Sequence, residues 1–255
     1  YVAGVGGMGI GVVTAILVRA GTSQGYHVRF VDKKGLAIRN GGVYSHVLFS
    51  KNGDVISPVT PYGKTNLLIG IDILEAARSV DSRLNLRVAN PRFTSALINT
   101  HKTPTVAVLL GKEDFKPREL EDSIRRMCRP DRYVSADISE VAEQYLGNKV
   151  FANMIMLGIA YQKGLLPLDL EHIKSAIEQS VPADALRKNV SAFNLGRMFV
   201  ANPKQFSIEA FDTYESVLTE KEEILKTTKW HRAPFARVLR RAPLREHSSG
   251  RTGRS

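Results

Sequence analysis

The sequence predicts an α/β protein: an open, mostly parallel, Rossmann-like sheet with helices on both faces, followed by a helical C-terminal part. Three observations carry that expectation. A glycine-rich turn, Gly4-Val5-Gly6-Gly7-Met8-Gly9, sits between an apolar strand, Tyr1-Val2-Ala3, and a helical pattern. Residues 66–71 form a short apolar run of the kind buried on both faces of a parallel sheet. From Asp137 onward four helical segments follow one another, punctuated by Pro167 and Pro182.

The elements follow in order. Residues 10–24 place Val13, Ile16, Leu17 and Ala20 near helical spacing, and Gly25 suits the C-cap. Residues 27–32 read as the second strand, so strand, helix and strand form a right-handed parallel crossover. Residues 43–50 read as a third strand with a turn at 51–54, and 66–71 as a fourth. A helix is expected around 73–78 and a strand over 86–90, ended by Pro91. Residues 105–111 fit strand or helix equally. Residues 118–127 read as helix and 133–136 as strand. Helices are then expected over 138–146, 151–163, 169–180 and 183–200, and an amphipathic helix over 208–226. The chain thus divides into an α/β domain over 1–203, helical from about 137, and a helix plus Arg-rich tail over 204–255.

Composition narrows the function. The chain has 255 residues, 43% hydrophobic and 24% charged, the balance of a globular protein with a proper core. No apolar run reaches the length of a transmembrane helix, and the first residues lack the basic leader of a signal peptide. The lack of an initiator Met suggests a trimmed start. A single cysteine, Cys128, allows no disulfide within the chain and no four-cysteine iron–sulfur cluster, and a cytoplasmic setting is the default. Arginines around it (Arg125, Arg126, Arg129) can lower a thiol's pKa, although an inert thiol is the expectation.

The net charge of +11 is unevenly distributed. Residues 229–255 hold Lys229 and seven arginines against Glu246 alone, which leaves the body only mildly basic. The tail, with Trp230 and Phe235, suits docking on another protein better than binding nucleic acid.

The glycine turn carries chemistry in one reading and geometry in the other. Gly4-x-Gly6-x-x-Gly9 lets backbone N–H groups approach a phosphate at a helix N-terminus. The same glycines can also serve only close packing of helix on strand. Asp32 lies 23 residues after Gly9, where a dinucleotide enzyme holds a ribose hydroxyl, so an independent NAD- or FAD-binding oxidoreductase is a competing reading.

A second loop argues against an ordinary dinucleotide fold. The eleven residues from Asp32 to Gly42 hold Lys33, Lys34, Arg39 and three glycines, a second place for an anion. The two loops are expected side by side, at the carboxyl ends of adjacent parallel strands.

The pair GVGGMG and GLAIRNGGVYSHV resembles the γ subunit of pyruvate and 2-oxoisovalerate:ferredoxin oxidoreductases, and looks closest to the β subunit or C-terminal part of indolepyruvate oxidoreductases. Asn90-Pro91, the stretch from Asn99-Thr100 to Thr105, and the segment from Asn148 through Asn153 to Gly164 extend the resemblance over roughly residues 1–200. Met8 and Ile38 stand where the family usually has Gln, and Asn40 where it has Gly.

The resemblance implies a subunit that is not active alone. A 2-oxoacid is decarboxylated on thiamine diphosphate, electrons pass through iron–sulfur clusters to ferredoxin or a similar acceptor, and coenzyme A takes the acyl group. Thiamine diphosphate and clusters belong to partner subunits; neither nucleic acid nor membrane is a partner. By the same resemblance, Gly4, Gly6, Gly7, Met8 and Gly9, with Arg39, Asn40, Gly41 and Gly42, face coenzyme A phosphates or the partner's active-site mouth. Ser45 and His46 support that loop by hydrogen bonds, although a structural histidine on an apolar strand is the plainer reading of His46. No catalytic or metal-binding residue is expected.

Overall fold

Side-chain alternation along the strands sorts the core onto two faces of one sheet. The structure, a computed structural model, describes residues 1–34, 42–53, 57–83 and 87–202. Its strands are β1 (Val2–Val5), β2 (His27–Lys34), β3 (Gly42–Ser50), β4 (Leu67–Gly70), β5 (Ser95–Asn99) and β6 (Tyr133–Ala136). Successive residues of a strand point to opposite faces. Val2, Ile69 and Leu97 accordingly join one cluster, while Leu68, Ala96 and Ile98 join another.

Helices cover both faces. α1 (Ile10–Ser23), α5 (Ile138–Leu146), α6 (Ala152–Gln162), α7 (Leu170–Ser180) and α8 (Ala183–Ala201) build the larger cluster. α2 (Ile73–Val80) and α4 (Pro117–Arg126) build the smaller. Each fully buried Ile or Leu contributes roughly 1.5–3 kcal/mol, so the larger cluster dominates stability. The run expected as strand or helix over 105–111 is one helical turn, α3 (Val106–Leu109), capped by the Thr105 hydroxyl, which accepts the Val108 N–H at 3.2 Å.

The helical part is anchored by α6, every residue of which is buried. It crosses α8 in backbone contact. A Cβ built on Gly158 would lie 2.0 Å from the Phe193 carbonyl oxygen, and one on Gly196 would lie 1.9 Å from that of Ile155.

Two expectations need correction. The strand order is β2-β3-β1-β4-β5-β6, with β3 antiparallel to both β2 and β1 and the remaining neighbours parallel. β1 and β2 therefore run the same way but are not adjacent. A crossover fixes relative direction and leaves room for a third strand between. The short connection from Lys34 to Gly42 suits an antiparallel return, and β3 takes that gap.

The strand expected over 86–90 is the second correction. Residues 87–90 lie outside the sheet; Val88 donates its N–H to Ser79 and accepts from the Thr65 N–H. The strand comes after Pro91, at Ser95–Asn99, all five residues buried. The helix expected over 208–226 and the tail lie outside the described residues.

Candidate functional site

The carboxyl ends of β1, β4, β5 and β6 meet at one end of the sheet, and two cavities open there. The glycine loop forms the first wall. β1 ends at Val5, the Met8 N–H returns to the Val5 carbonyl at 3.3 Å, and α1 starts at Ile10. Gly7 (φ +95°) and Gly9 (φ +72°) hold left-handed backbone that side chains strain. Gly4 serves packing: a Cβ there would meet Ile10 Cδ1 at 2.9 Å. α1 has no side-chain N-cap and no acid in its first turn, so its free N–H groups and partial positive charge face outward.

β5 supplies the opposite wall. Asn99 at its end is 1% exposed and uses both ends of its amide. Its Nδ2 donates to the Ile71 carbonyl (3.0 Å) and the Ser139 hydroxyl (2.8 Å). Its Oδ1 accepts the Ile138 N–H (2.9 Å). This ties the ends of β4 and β5 to the start of α5, and fixes the segment that follows.

His101 comes next, its Nδ1 3.0 Å from an Asp137 carboxylate oxygen. Asp137 also caps α5 through the Glu140 N–H (2.8 Å). The other ring nitrogen, Nε2, lies 3.5 Å from Lys149 Nζ. Lys149 stands on a 3-10 turn, Lys149–Phe151, capped by Asn148. Gly7, Met8, His101, Lys102, Lys149 and Asn153 are among the residues enclosing the first cavity, about 240 Å³. It offers glycine backbone and Lys149 to an anion, while Lys102 is ion-paired with Asp114 at 2.6 Å.

The second cavity, also about 240 Å³, shares Thr103 and Pro104 with the first and is acidic: Asp72, Glu75 and Glu113 line it beside Arg78. Asp72 caps α2 through the Glu75 N–H (3.0 Å). Burial raises the Asp72 carboxyl against that bond and the Thr103 side chain. Burial also raises Glu75, opposed by Arg78, which bonds it at 2.5 Å.

The sequence-predicted residues are placed unequally. Gly7 and Met8 line the first cavity, Gly6 and Gly9 complete their turn, and Gly4 lies buried behind it. Of the second loop, Arg39, Asn40 and Gly41 lie outside the described residues. Gly42 pairs with Val5, so the loop ends are neighbours. Gly42, however, packs on a carboxylate: a Cβ there would meet Glu75 Oε2 at 2.4 Å. That acid disfavours a phosphate at Gly42.

Ser45 and His46 line neither cavity. The Ser45 hydroxyl accepts from Thr14 (2.8 Å) and donates to Asp32 (2.5 Å), joining β3 to α1 and β2. His46 accepts the Thr60 N–H at Nδ1 (3.0 Å) and packs edge-on against the stacked Tyr1 and Tyr44 rings; burial lowers its pKa to about 4. Their bonds hold the sheet rather than the glycine loop. Asp32, engaged by Ser45, sits two strands from β1, roughly 10 Å across the sheet. It is therefore not beside the glycine loop, and the dinucleotide reading loses its ribose acceptor. Cys128 is buried, and burial pushes its thiol up to about 12 despite the arginines.

Sequence reading passed over His101, Lys102, Asp137 and Lys149 as site residues. Polar groups just past a buried parallel strand are the signal for the first two, and it was hidden by placing that strand before Pro91.

An open α/β sheet thus brings a glycine turn, a helix N-terminus and Lys149 to one cavity at its carboxyl end. The chain belongs to the pyruvate ferredoxin/flavodoxin oxidoreductase family, which matches residues 1–199. It is 30% identical over 198 residues to the indolepyruvate oxidoreductase subunit IorB of Pyrococcus horikoshii, covering 76% of this chain and 92% of that one. Against the IorB subunit of Archaeoglobus fulgidus the identity is 28%, covering 76% and 91%.

Two solved structures share the fold. One is a keto/oxoacid ferredoxin oxidoreductase γ subunit from Geobacter sulfurreducens (TM-score 0.50, 16% identity, 77% of this chain and 94% of that one). The other is 2-oxoglutarate:ferredoxin oxidoreductase from Magnetococcus marinus, solved with 2-oxoglutarate, coenzyme A and succinyl-CoA (TM-score 0.54, 18% identity). The match covers 77% of this chain but 29% of the Magnetococcus chain. This protein is a subunit of the 2-oxoacid:ferredoxin oxidoreductase family.

Proposed function

We propose that the chain is the non-autonomous small subunit of a thiamine diphosphate-dependent 2-oxoacid oxidoreductase of the indolepyruvate (arylpyruvate) or pyruvate type, and that its glycine-loop cavity receives phosphates of coenzyme A. The observation that carries this is the cavity where Gly7 and Met8 face Lys102 and Lys149 across the sheet end. Thiamine diphosphate on a partner supplies the decarboxylation, and the partner's iron–sulfur clusters pass electrons to ferredoxin or a similar acceptor. This chain's residues bind and orient: the turn and the first N–H groups of α1 approach phosphate oxygens, Lys149 offsets their charge, and Asp137 holds His101 in one orientation. Residues 204–255 belong in this reading to partner docking, and the complex to the cytoplasm. No observation favours an independent NAD or FAD enzyme.

The test is co-expression with the thiamine-binding, cluster-bearing subunits and a coenzyme A-dependent assay of acceptor reduction with indolepyruvate and pyruvate. The isolated chain is expected to be inactive. Lys149 is exposed, so its contact with a phosphate is worth about 1 kcal/mol, and Lys149→Ala raises the KM for coenzyme A about five-fold with kcat within two-fold. An unchanged KM refutes the assignment.

A further inference from the structure

We infer that Asn153 is a positioning residue for the glycine loop, setting its conformation and through it the affinity for the phosphate-bearing ligand; this rests on the coenzyme A reading above. Asn153 is the second residue of α6 and is 5% exposed. Its Oδ1 accepts the Met154 N–H of its own helix at 2.6 Å, which fixes the side chain. Its Nδ2 reaches 144 residues back to the Gly9 carbonyl at 3.4 Å and is the only side-chain donor recorded to that oxygen among the described residues.

The Gly9 carbonyl is a three-way junction. It also accepts the Val12 N–H (3.0 Å) and the Val13 N–H (3.2 Å), the first bonds of α1. A trans peptide sets its C=O and N–H in opposite directions. Holding the Gly9 carbonyl against Asn153 and α1 therefore turns the Ile10 N–H out of the helix end. A Cβ at position 9 would lie 2.0 Å from Nδ2, so the amide occupies the space that glycine vacates.

The anchor is rigid. α6 is buried along its whole length and locked to α8 by the Gly158 and Gly196 contacts. Asn153 also lines the first cavity. The loop's left-handed backbone thus leans on the helical half of the chain, which ordinary core filling would not require: a buried amide is costly unless its hydrogen bonds are made.

The chain is assayed in the reconstituted complex as Asn153→Ala and Asn153→Asp. The Ala variant removes the donor to Gly9 without adding charge, whereas the Asp variant keeps the shape and the Met154 contact but sets a carboxylate against the Gly9 carbonyl. Both are expected to raise the KM for coenzyme A five-fold or more and leave the KM for the 2-oxoacid within two-fold. If both KM values rise together and the Tm falls, the residue is merely structural and the inference is overturned. If Lys149→Ala raises the coenzyme A KM and neither Asn153 variant does, the positioning role fails and the coenzyme A reading survives. If none of the three changes it, both fail.

Discussion

Replacing Gly9 by alanine tests the glycine loop at its tightest point. Two costs add. The residue sits at φ +72°, and a non-glycine residue in left-handed backbone costs about 1–2 kcal/mol. Its Cβ would also lie 2.0 Å from Asn153 Nδ2, so the amide must swing away and give up the Gly9 carbonyl, costing about 1 kcal/mol more. Gly7 supplies the control: its φ is +95°, but nothing lies within 4 Å of an added Cβ, so only the backbone cost applies. Gly9→Ala is therefore expected to destabilise by roughly 2–3 kcal/mol and Gly7→Ala by roughly 1–2 kcal/mol.

Urea unfolding followed by circular dichroism measures both. The decisive step is a double-mutant cycle, because sites in contact do not add. In an Asn153→Ala background the extra cost of Gly9→Ala over Gly7→Ala should vanish. Equal losses for the two glycine variants, or strict additivity of Gly9→Ala with Asn153→Ala, would refute the contact argument.

Two further outcomes follow from packing and burial. Gly196→Ala pushes a methyl toward the Ile155 carbonyl oxygen, which is backbone and cannot rotate away; a loss of about 3 kcal/mol is expected in urea midpoints, and a loss below about 1 kcal/mol refutes direct helix contact. For His46 the folded-state pKa is about 4 against the ordinary 6.5, so the folded protein binds fewer protons between those values than the unfolded chain. Its contribution is therefore fully present above pH 6.5, falls as pH drops, and is gone below about pH 4, with an upper limit of roughly 3 kcal/mol. His46→Gln should flatten that slope in urea midpoints taken between pH 4 and 7, and an unchanged slope refutes it.

Much of the fold was legible because local pattern dictated it. The helices α5, α7 and α8 follow apolar spacing and proline boundaries, and the strand at Tyr133–Ala136 stands where its β-branched and aromatic residues put it. Sheet order was not legible. Nothing in the spacing of β1, α1 and β2 says that β3 enters between the two strands, and that insertion is what separates Asp32 from the glycine loop. The site was half legible for the same reason. Gly7 and Met8 announce themselves by sequence, whereas His101, Lys102 and Lys149 join them only through the order of β4, β5 and β6 and through the Asn99 bonds that fix the end of β5.

The two cavities explain each other when charge is considered. They share Thr103 and Pro104, yet one is bounded by Lys102 and Lys149 and the other by Asp72, Glu75 and Glu113. Under the coenzyme A proposal, an anion crossing that wall would leave Lys149 for carboxyl groups whose charged form burial already disfavours. The acids also have fixed structural duties. Asp72 caps α2, and Glu75 fills the space against Gly42 while it bonds Arg78. Under the same proposal, Glu75, packed against Gly42, would disfavour an anion on its side of the wall.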